Sequence, residues 1–467
     1  MSAQLQFDVA VIGAGPGGYV AAIRASQLGL KVAVIERDSR YGGTCTLRGC
    51  IPTKALLRDA HLLHEVKKAV QQGLFKTGPV EFDFDKIQAR KNDIVNKSHR
   101  GVEYLFKKNK VTVIKGTATL LSPTRIQVAG DTPTEVEARN IIIATGSEAK
   151  SLPGYAVDEQ HIISNIGALD TAAVPQSLVV VGAGAVGVEF ASLYNTFGTK
   201  VTLLEVAPQL VPLEDEEVSK ELRRLFTRKG IDVFTGAKLQ SAKPSGNGIE
   251  VSFQTDGGEA KSVVADKLLM ATGRAANIAG IGLETLGVAT ERGFIKVDRY
   301  MQTNVSGVYA IGDVVPSPQL AHVAFQEGVV AAERIAGQDP AAIDYLHVPN
   351  CTYCDPQIAS VGLTEAKAIA AGHKIKIGKF PFTAVPKARI EDATDGFVKI
   401  VATEEDGEIL GFHMIGSGVT EMIAEGVTAM GLEGTVADLA HLIHAHPTLS
   451  ESIHEALEGV FGAPIHM

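Results

Sequence analysis

A duplication limits the possible folds more than any other feature of this sequence. Residues 7–37 read FDVAVIGAGPGGYVAAIRASQLGLKVAVIER, and residues 177–206 read SLVVVGAGAVGVEFASLYNTFGTKVTLLEV. Each has a β-branched apolar run, a glycine turn, a helical pattern and a second apolar run that ends in an acid. Gly13, Gly15, Gly18 and Glu36 recur as Gly182, Gly184, Gly187 and Glu205, each 169 positions further on. A lone GxGxxG is weak evidence. Here each copy follows a strand pattern, opens a helix and has an acid 23 residues after its first glycine, which is the full context of a dinucleotide site. The first glycine makes the turn, the second lets backbone approach a pyrophosphate, and the third lets helix and strand pack closely. The helix N-terminus then presents unpaired N–H groups to the phosphates.

The acids indicate which nucleotides fit. Glu36 and Glu205 are each suited to accept hydrogen bonds from a ribose diol, and a 2′-phosphate beside Glu205 would be repelled, so the second site favours NAD over NADP. Arg37 follows Glu36 directly, so a nearby base does not by itself indicate a phosphate. Two more segments repeat. IIIATGS (141–147) and LLMATGR (268–274) are strands running into glycine turns, each closing one module. Thr145 lies 132 residues after Gly13, whereas Thr272 lies 90 after Gly182, so the first module carries about 42 additional residues. A further strand, in TNVSGVYAIGDVV, ends at Gly312–Asp313, where an aspartate can bind a cofactor hydroxyl.

The expected fold class is α/β, with two Rossmann-like dinucleotide-binding domains and a C-terminal α+β domain. Residues 1–146 form the first part of one dinucleotide domain. Residues 147–272 form the second, inserted into it, and 273–345 return to complete the first. DYLHVPN (344–350) reads as a linker, and residues 346–467 as the last domain. Hydrophobic residues make up 45% of the 467, enough for cores of this number. A net charge of −9 without a basic tail argues against nucleic-acid binding. No run of 18 apolar residues predicts a membrane span, and the polar leader before Phe7 lacks a basic secretory n-region. Four cysteines do not make a disulfide framework, so a reducing, cytoplasmic setting is expected.

Two of those cysteines lie in the insertion. GGTCTLRGCIPTK (42–54) places Cys45 and Cys50 ahead of a helical pattern, plausibly at its beginning. In an ideal helix such residues are displaced by roughly 7.5 Å along the axis, too far for a disulfide, so a bridge needs the backbone freedom of Gly49. The helix N-terminus, Arg48 and Lys54 all favour thiolate over thiol, as exchange with a substrate disulfide requires. The bland alternative is a pair of reduced buried cysteines; a metal site is weaker, since two more ligands are wanting. Cys351 and Cys354, in NCTYCDPQ, lack the helix context of a redox motif and read as small residues of the last domain. Near the C-terminus, HLIHAHPTLSESIHEAL holds His441, His444, His446 and His454. HxxHxH is compatible with a metal site. Pro447, however, ends the preceding helix and leaves His446 on a loop, with Glu451 at the start of the next helix, placed to orient the imidazole as in a catalytic base pair.

Taken together, GAGPGG, GGTC…GCIPTK, ATGS, GAGAVGVE, ATGR, YAIGD and HAHPTLSE resemble the flavin-dependent disulfide reductases over nearly the whole chain. The resemblance implies FAD against Gly13, Gly15, Gly18, Glu36, Lys54, Ala118, Thr145, Gly146, Asp313 and Ala321. It implies NAD against Gly182, Gly184, Gly187, Glu189, Glu205 and Gly273, with Lys54 and Glu189 paired beside the flavin. Cys45 then looks like the interchange thiol and Cys50 like the thiol facing the flavin. His446, oriented by Glu451, is the implied acid–base, supplied by the other subunit of a homodimer, and no metal is involved. The implied reaction is oxidation of protein-bound dihydrolipoamide: His446 takes a proton, exchange at Cys45 closes lipoamide, and electrons pass from Cys50 through FAD to NAD. The implied partner is a lipoyl-bearing acyltransferase of a 2-oxoacid dehydrogenase complex, or a glycine-cleavage carrier protein.

The chain departs from the family pattern CLNVGC, having CTLRGC instead, and Arg48 is expected to raise the thiolate fraction of the reduced pair. A glutathione-type reductase would want arginines around the second ribose and VPKK rather than IPTK. Mercuric reductase would need a C-terminal cysteine pair, and a soluble transhydrogenase would lack Cys45. An inactive flavoprotein subunit is opposed by the joint presence of Cys45, Cys50, His446 and Glu451.

Overall fold

The computed structural model describes residues 5–467. They divide into two compact units. The first comprises the chain up to Leu56, Asp85–Lys150 and Arg274–Tyr345; the second comprises Leu57–Phe84, Ser151–Gly273 and Leu346–Met467. In the first unit the middle segment runs to Lys150 and the chain returns at Arg274. The strand Ser147–Ala149 pairs antiparallel with Arg274–Ala276, so the outgoing and returning segments form a two-stranded ribbon that belongs to this unit.

The first unit is built on a seven-stranded sheet. Its parallel part runs Thr112–Lys115, Val32–Glu36, Leu5–Ile12, Thr134–Ile143, with Val308–Ala310 beside the Ile143 end of the last. Strands Arg125–Ala129 and Thr117–Ser122 continue it antiparallel from the other end of Thr134–Ile143. The Leu5–Ile12 strand has a core on each face: Val9 and Val11 enter one apolar cluster, Ala10 and Ile12 the other. Burial on both faces explains why the strand reads as a near-continuous apolar run rather than an alternating one.

The second unit repeats the plan with five parallel strands, ordered Asp232–Phe234, Lys200–Leu204, Ser177–Val181, Lys267–Met270, Ile162–Ile163. A three-stranded antiparallel sheet, Lys238–Ser245, Gly248–Gln254 and Ala260–Ala265, leads into Lys267–Met270. The same unit holds a five-stranded antiparallel sheet, ordered Asn350–Thr352, Gln357–Gly362, Ile409–Gly416, Phe397–Thr403, Ile375–Pro381. Helices Val419–Gly431, Val436–Ala440 and Glu451–Phe461 pack on it over Phe380, Val398, Ile400, Phe412 and Met414. Among the described residues no helix is long and apolar enough to cross a membrane.

Candidate active site

In both modules the strand, glycine turn and helix have the same geometry. Gly13 and Gly182 have φ of +105° and +100°, and a Cβ on either would fall 2.4 Å or 2.3 Å from a backbone oxygen, of Ala144 and Ala271 respectively. A Cβ on Gly18 or Gly187 would lie 2.0 Å or 1.8 Å from the oxygen of Gly13 or Gly182. Only glycine fits at these four positions. Gly15 and Gly184 are the N-caps of helices Pro16–Gln27 and Ala185–Thr196. A Cβ at Gly184 would meet nothing within 4 Å, and one at Gly15 would meet only the Gly43 Cα at 3.9 Å. The space in front of each helix N-terminus is therefore open to a pyrophosphate, and the two turns fit the dinucleotides that the sequence implies.

The acids are held in register with those turns. Buried Glu36 accepts the Ala14 N–H at 2.7 Å and the Asp38 N–H at 2.8 Å; buried Glu205 accepts the Ala183 N–H at 2.6 Å and the Ala207 N–H at 2.8 Å. Each carboxylate is fixed at the end of its strand before any ribose arrives. Burial pushes the Glu36 carboxyl above its ordinary value, against the Ala14 N–H and the charges of Lys115 and Arg37.

Further along the first unit, Gly146 (φ +69°) has open space where a side chain would project, as does Gly273 (φ +102°) in the second unit. Asp313 accepts from the Ser147 hydroxyl, and the Arg274 Nε lies 3.6 Å from it. Arg274 also donates to the Ser147 hydroxyl and carbonyl, both at 2.6 Å. The Gly312 N–H donates to Glu327 at 2.5 Å, and the Tyr345 hydroxyl to the same carboxylate at 2.9 Å. Glu327 is wholly buried, and that burial raises its carboxyl. The sequence reading missed Arg274, Ser147 and Glu327. The first two sit in the ATGR and ATGS motifs; the third is one of two acids in the helix Ala321–Ile335, which Ala321 opens, and nothing local marks it. The Thr145 hydroxyl donates to the Asn277 carbonyl at 2.7 Å. Ala118 is buried in the core beside Leu120 and Ile126, so any cofactor contact there comes from its backbone.

The cysteines do not share the start of one helix. Cys45 lies in a short helix, Gly43–Arg48, and Cys50 opens a second, Cys50–Gln71. Gly49 breaks the two apart with φ −147° and ψ −111°. That break removes the separation an unbroken helix would impose, and the two thiols are in hydrogen-bond contact. The Cys45 thiol is consequently pushed up, not down. Its hydrogen bond to Cys50 is the main cause, burial and the Cys50 charge add to it, and Lys54 opposes it only in part. The hydrogen bond makes the two sulfurs one interacting unit. Arg48, expected to raise the thiolate fraction of the pair, has a carboxylate partner. Its guanidinium donates to the Asp38 carboxylate, and the cation acting on Cys45 is Lys54.

In the second unit, His446 lies on a loop well beyond the helix Val436–Ala440, which ends earlier than Pro447 suggests. Its Nδ1 is 2.8 Å from Glu451 Oε1, and its ring is 67% exposed. The other Glu451 oxygen accepts the Thr448 N–H at 2.8 Å. Although burial works the other way, the Thr448 N–H, the His446 hydrogen bond and the charges of His446 and His444 hold the Glu451 carboxyl below its ordinary range. His444 is separately paired with Glu425 at 2.7 Å, so His444 and His446 each have a carboxylate of their own. Buried Glu189, on Ala185–Thr196, accepts the Tyr353 N–H at 2.9 Å. The Cys354 thiol is buried against the Pro356 carbonyl at 3.1 Å, and burial raises it far out of the reactive range. Among the described residues no group of three or more His, Cys, Asp or Glu is placed to hold a metal ion.

Two open nucleotide cradles, one of them built against a pair of contacting thiols, define a thiol-linked dinucleotide oxidoreductase. Residues 7–328 match the family described as pyridine nucleotide-disulphide oxidoreductase, and residues 348–457 match the dimerisation domain of the same family. The chain belongs to that family, whose cofactors are FAD and NAD. It is similar to the dihydrolipoyl dehydrogenase of Bacillus subtilis, at 45% identity over 99% of each chain. It is also similar to the dihydrolipoyl dehydrogenase of Zymomonas mobilis, at 46% identity over 98% of this chain and 99% of the relative. Among solved structures it resembles LpdA from Mycobacterium tuberculosis, with a TM-score of 0.89 at 28% identity, covering 97% of this chain and 99% of the other.

Proposed function

We propose that the protein oxidises protein-bound dihydrolipoamide to lipoamide and reduces NAD. The observation that carries this reading is the Cys45–Cys50 pair: two thiols in contact on the nucleotide module of a chain similar from end to end to dihydrolipoyl dehydrogenases. FAD, when bound, supplies the two-electron link between thiol chemistry and hydride chemistry. The chain's own residues do the rest. Gly13, Gly15 and Gly18 let the first pyrophosphate approach the helix Pro16–Gln27, and Glu36 holds a ribose. Lys54, Thr145, Gly146, Asp313 and Ala321 line the remainder, with Ala118 contributing backbone. Gly182, Gly184, Gly187, Glu189, Glu205 and Gly273 do the same for NAD, and the Glu205 carboxylate repels a 2′-phosphate.

His446, fixed by Glu451, removes a proton from a substrate thiol. The resulting thiolate attacks Cys45 of the oxidised pair, and the Cys45–Cys50 bond breaks. The second substrate thiol then displaces Cys45, which closes the substrate disulfide and leaves both cysteines reduced. General base catalysis of this kind is typically worth about 10²–10⁴-fold. In this scheme residues 1–146 and 273–345 make the FAD domain, 147–272 the NAD domain and 346–467 the interface of a homodimer in which His446 serves the other subunit. The enzyme works in the cytoplasm on the lipoyl groups of a 2-oxoacid dehydrogenase acyltransferase or of a glycine-cleavage carrier protein.

Purified holoprotein tests the reading directly. Initial rates with dihydrolipoamide and NAD should far exceed those with glutathione disulfide and NADPH. A colourless protein, or one that prefers the second pair, refutes it.

A further inference from the structure

Arg48 is the residue that neither the nucleotide motif nor the dithiol motif accounts for. It closes the helix Gly43–Arg48, and its guanidinium donates to the Asp38 carboxylate. Asp38 in turn donates its backbone N–H to Glu36 at 2.8 Å, and the other Glu36 oxygen takes the Ala14 N–H at 2.7 Å. The start of the same helix is fixed too. A Cβ on Gly43 would lie 2.6 Å from the Gly15 Cα, and the neighbouring Gly42 N–H donates to the Ala14 carbonyl at 2.8 Å. The helix carrying Cys45 is therefore anchored at both ends to the nucleotide motif. Packing on the glycine turn holds one end; the Arg48–Asp38 ion pair, one residue before the Gly49 break, helps hold the other.

We propose that Arg48 and Asp38 form a positioning clasp that couples the Cys45–Cys50 pair to the ribose-binding acid Glu36. The proposal rests on the reading of the first module as the FAD site. With the clasp closed, Asp38 is held where its N–H seats Glu36, and the helix end is held where Cys45 meets Cys50. With it open, Gly49 lets the helix end turn. The Cys45 proton is then held less firmly, and Glu36 loses part of its seat. Because the coupling is reciprocal, whatever loosens the nucleotide end also loosens the thiol end. The family pattern CLNVGC has an apolar residue at this position, so the clasp belongs to chains with a cation there.

The alternative role for Arg48 is a direct charge effect on the thiols, and two single variants separate the two. Arg48→Met removes the cation; Asp38→Asn keeps the cation but frees it from its partner. A charge effect moves Cys45 reactivity in opposite directions in the two variants, whereas a clasp moves it the same way in both. On dithiothreitol-reduced holoenzyme, the rate of FAD release is read from recovered flavin fluorescence, and the rate of Cys45 alkylation by iodoacetamide from peptide mass. Each variant should speed both processes by about three- to fivefold, the range open to a partly exposed ion pair. The double variant should add less than about twofold to either single, because the paired residues act as one unit. Arg48→Lys should restore most of the wild-type behaviour, and Arg48→Gln stands in for Arg48→Met if that variant does not fold. Opposite shifts in alkylation, unchanged FAD release in both singles, or a double variant equal to the product of the singles overturns the clasp. A colourless wild type overturns the FAD reading itself; a yellow wild type with unaffected variants overturns only the clasp.

Discussion

The two nucleotide modules match in their glycines and acids, yet they face different surroundings. In the first, the middle glycine, Gly15, has the Gly43 Cα just 3.9 Å from where its Cβ would be, because the helix Gly43–Arg48 lies against the turn. In the second, the equivalent Gly184 faces open space. The first cradle is walled by the segment that carries the thiols, which suits a resident cofactor that must stay beside them. The second is bare, which suits a nucleotide that enters and leaves at every turnover. One βαβ plan thus serves two needs, and the difference lies in what the insertion places in front of it.

The hardest test of that contrast is removal of the thiols. Cys45→Ser or Cys50→Ser should abolish dihydrolipoamide oxidation, by on the order of 10³-fold or more, since members of one reacting unit fail together. Flavin should stay bound in both variants, because serine keeps the packing of the helix on Gly15. Stopped-flow turnover alongside the flavin spectrum reads both. A serine variant that still turns over would mean that the insertion is a wall and nothing more.

Next in size is the base. His446→Gln should lower kcat by about 10²–10⁴-fold and leave flavin content unchanged. Glu451→Gln should cost less, since the imidazole remains and only its orientation is lost. The Glu451 carboxyl titrates below its ordinary value, so its contribution to holding the loop is present above the unfolded-state pKa. That contribution disappears as pH falls through the lowered folded value. Loop proteolysis should therefore rise on acidification in wild type, whereas Glu451→Gln should be cut faster already at neutral pH and lack that acid step; identical pH profiles would contradict the Glu451–His446–Thr448 bonding.

A matched pair of glycine variants separates the modules. A Cβ at Gly18 or Gly187 would overlap a backbone oxygen that cannot move without displacing the turn. Each alanine variant should lose about 3 kcal/mol locally, in the upper range for overpacking. Gly18→Ala should yield protein depleted in flavin, while Gly187→Ala should stay yellow, accept electrons from dihydrolipoamide once, and fail to pass them to NAD. Flavin content and single-turnover reduction distinguish the two; equal flavin loss in both would remove the distinction between resident and exchanging sites.

How much of this could be read from sequence follows from how local each feature is. The modules were legible because glycine turns, β-branched runs and a terminal acid are all set within about 30 residues by local backbone demands. The His446–Glu451 pair was legible because its members are five residues apart. The break at Gly49 was foreseen only as freedom, since glycine permits a break without dictating one. The Arg48–Asp38 ion pair, the Glu327 carboxylate under Gly312 and the Arg274–Ser147–Asp313 cluster join residues 10, 15 and up to 166 positions apart. No local pattern marks those partners. The upward push on the Cys45 thiol was not legible for a related reason: adjacent cations can be counted along the chain, while the main cause is contact with the other sulfur.

The smallest effect expected is also the most selective. Glu205→Gln keeps the side-chain shape and one acceptor, but removes the charge that excludes a 2′-phosphate and weakens the paired hold on the ribose diol. The specificity constant for NAD should fall by about tenfold, and the preference for NAD over NADP should narrow by a similar factor, in keeping with one charged hydrogen-bonding group of about 1.5–3 kcal/mol. The twin substitution, Glu36→Gln, should leave the NAD constants alone and instead speed release of FAD. Both acids accept two backbone N–H groups, so either amide loses the same internal bonding, and any fold-wide weakening should appear equally in both. A nucleotide effect confined to the matching module therefore reports the ribose contact itself. If Glu36→Gln altered the NAD constants as much as Glu205→Gln does, the carboxylates would be acting through the folding of the strands and not through the nucleotides they face.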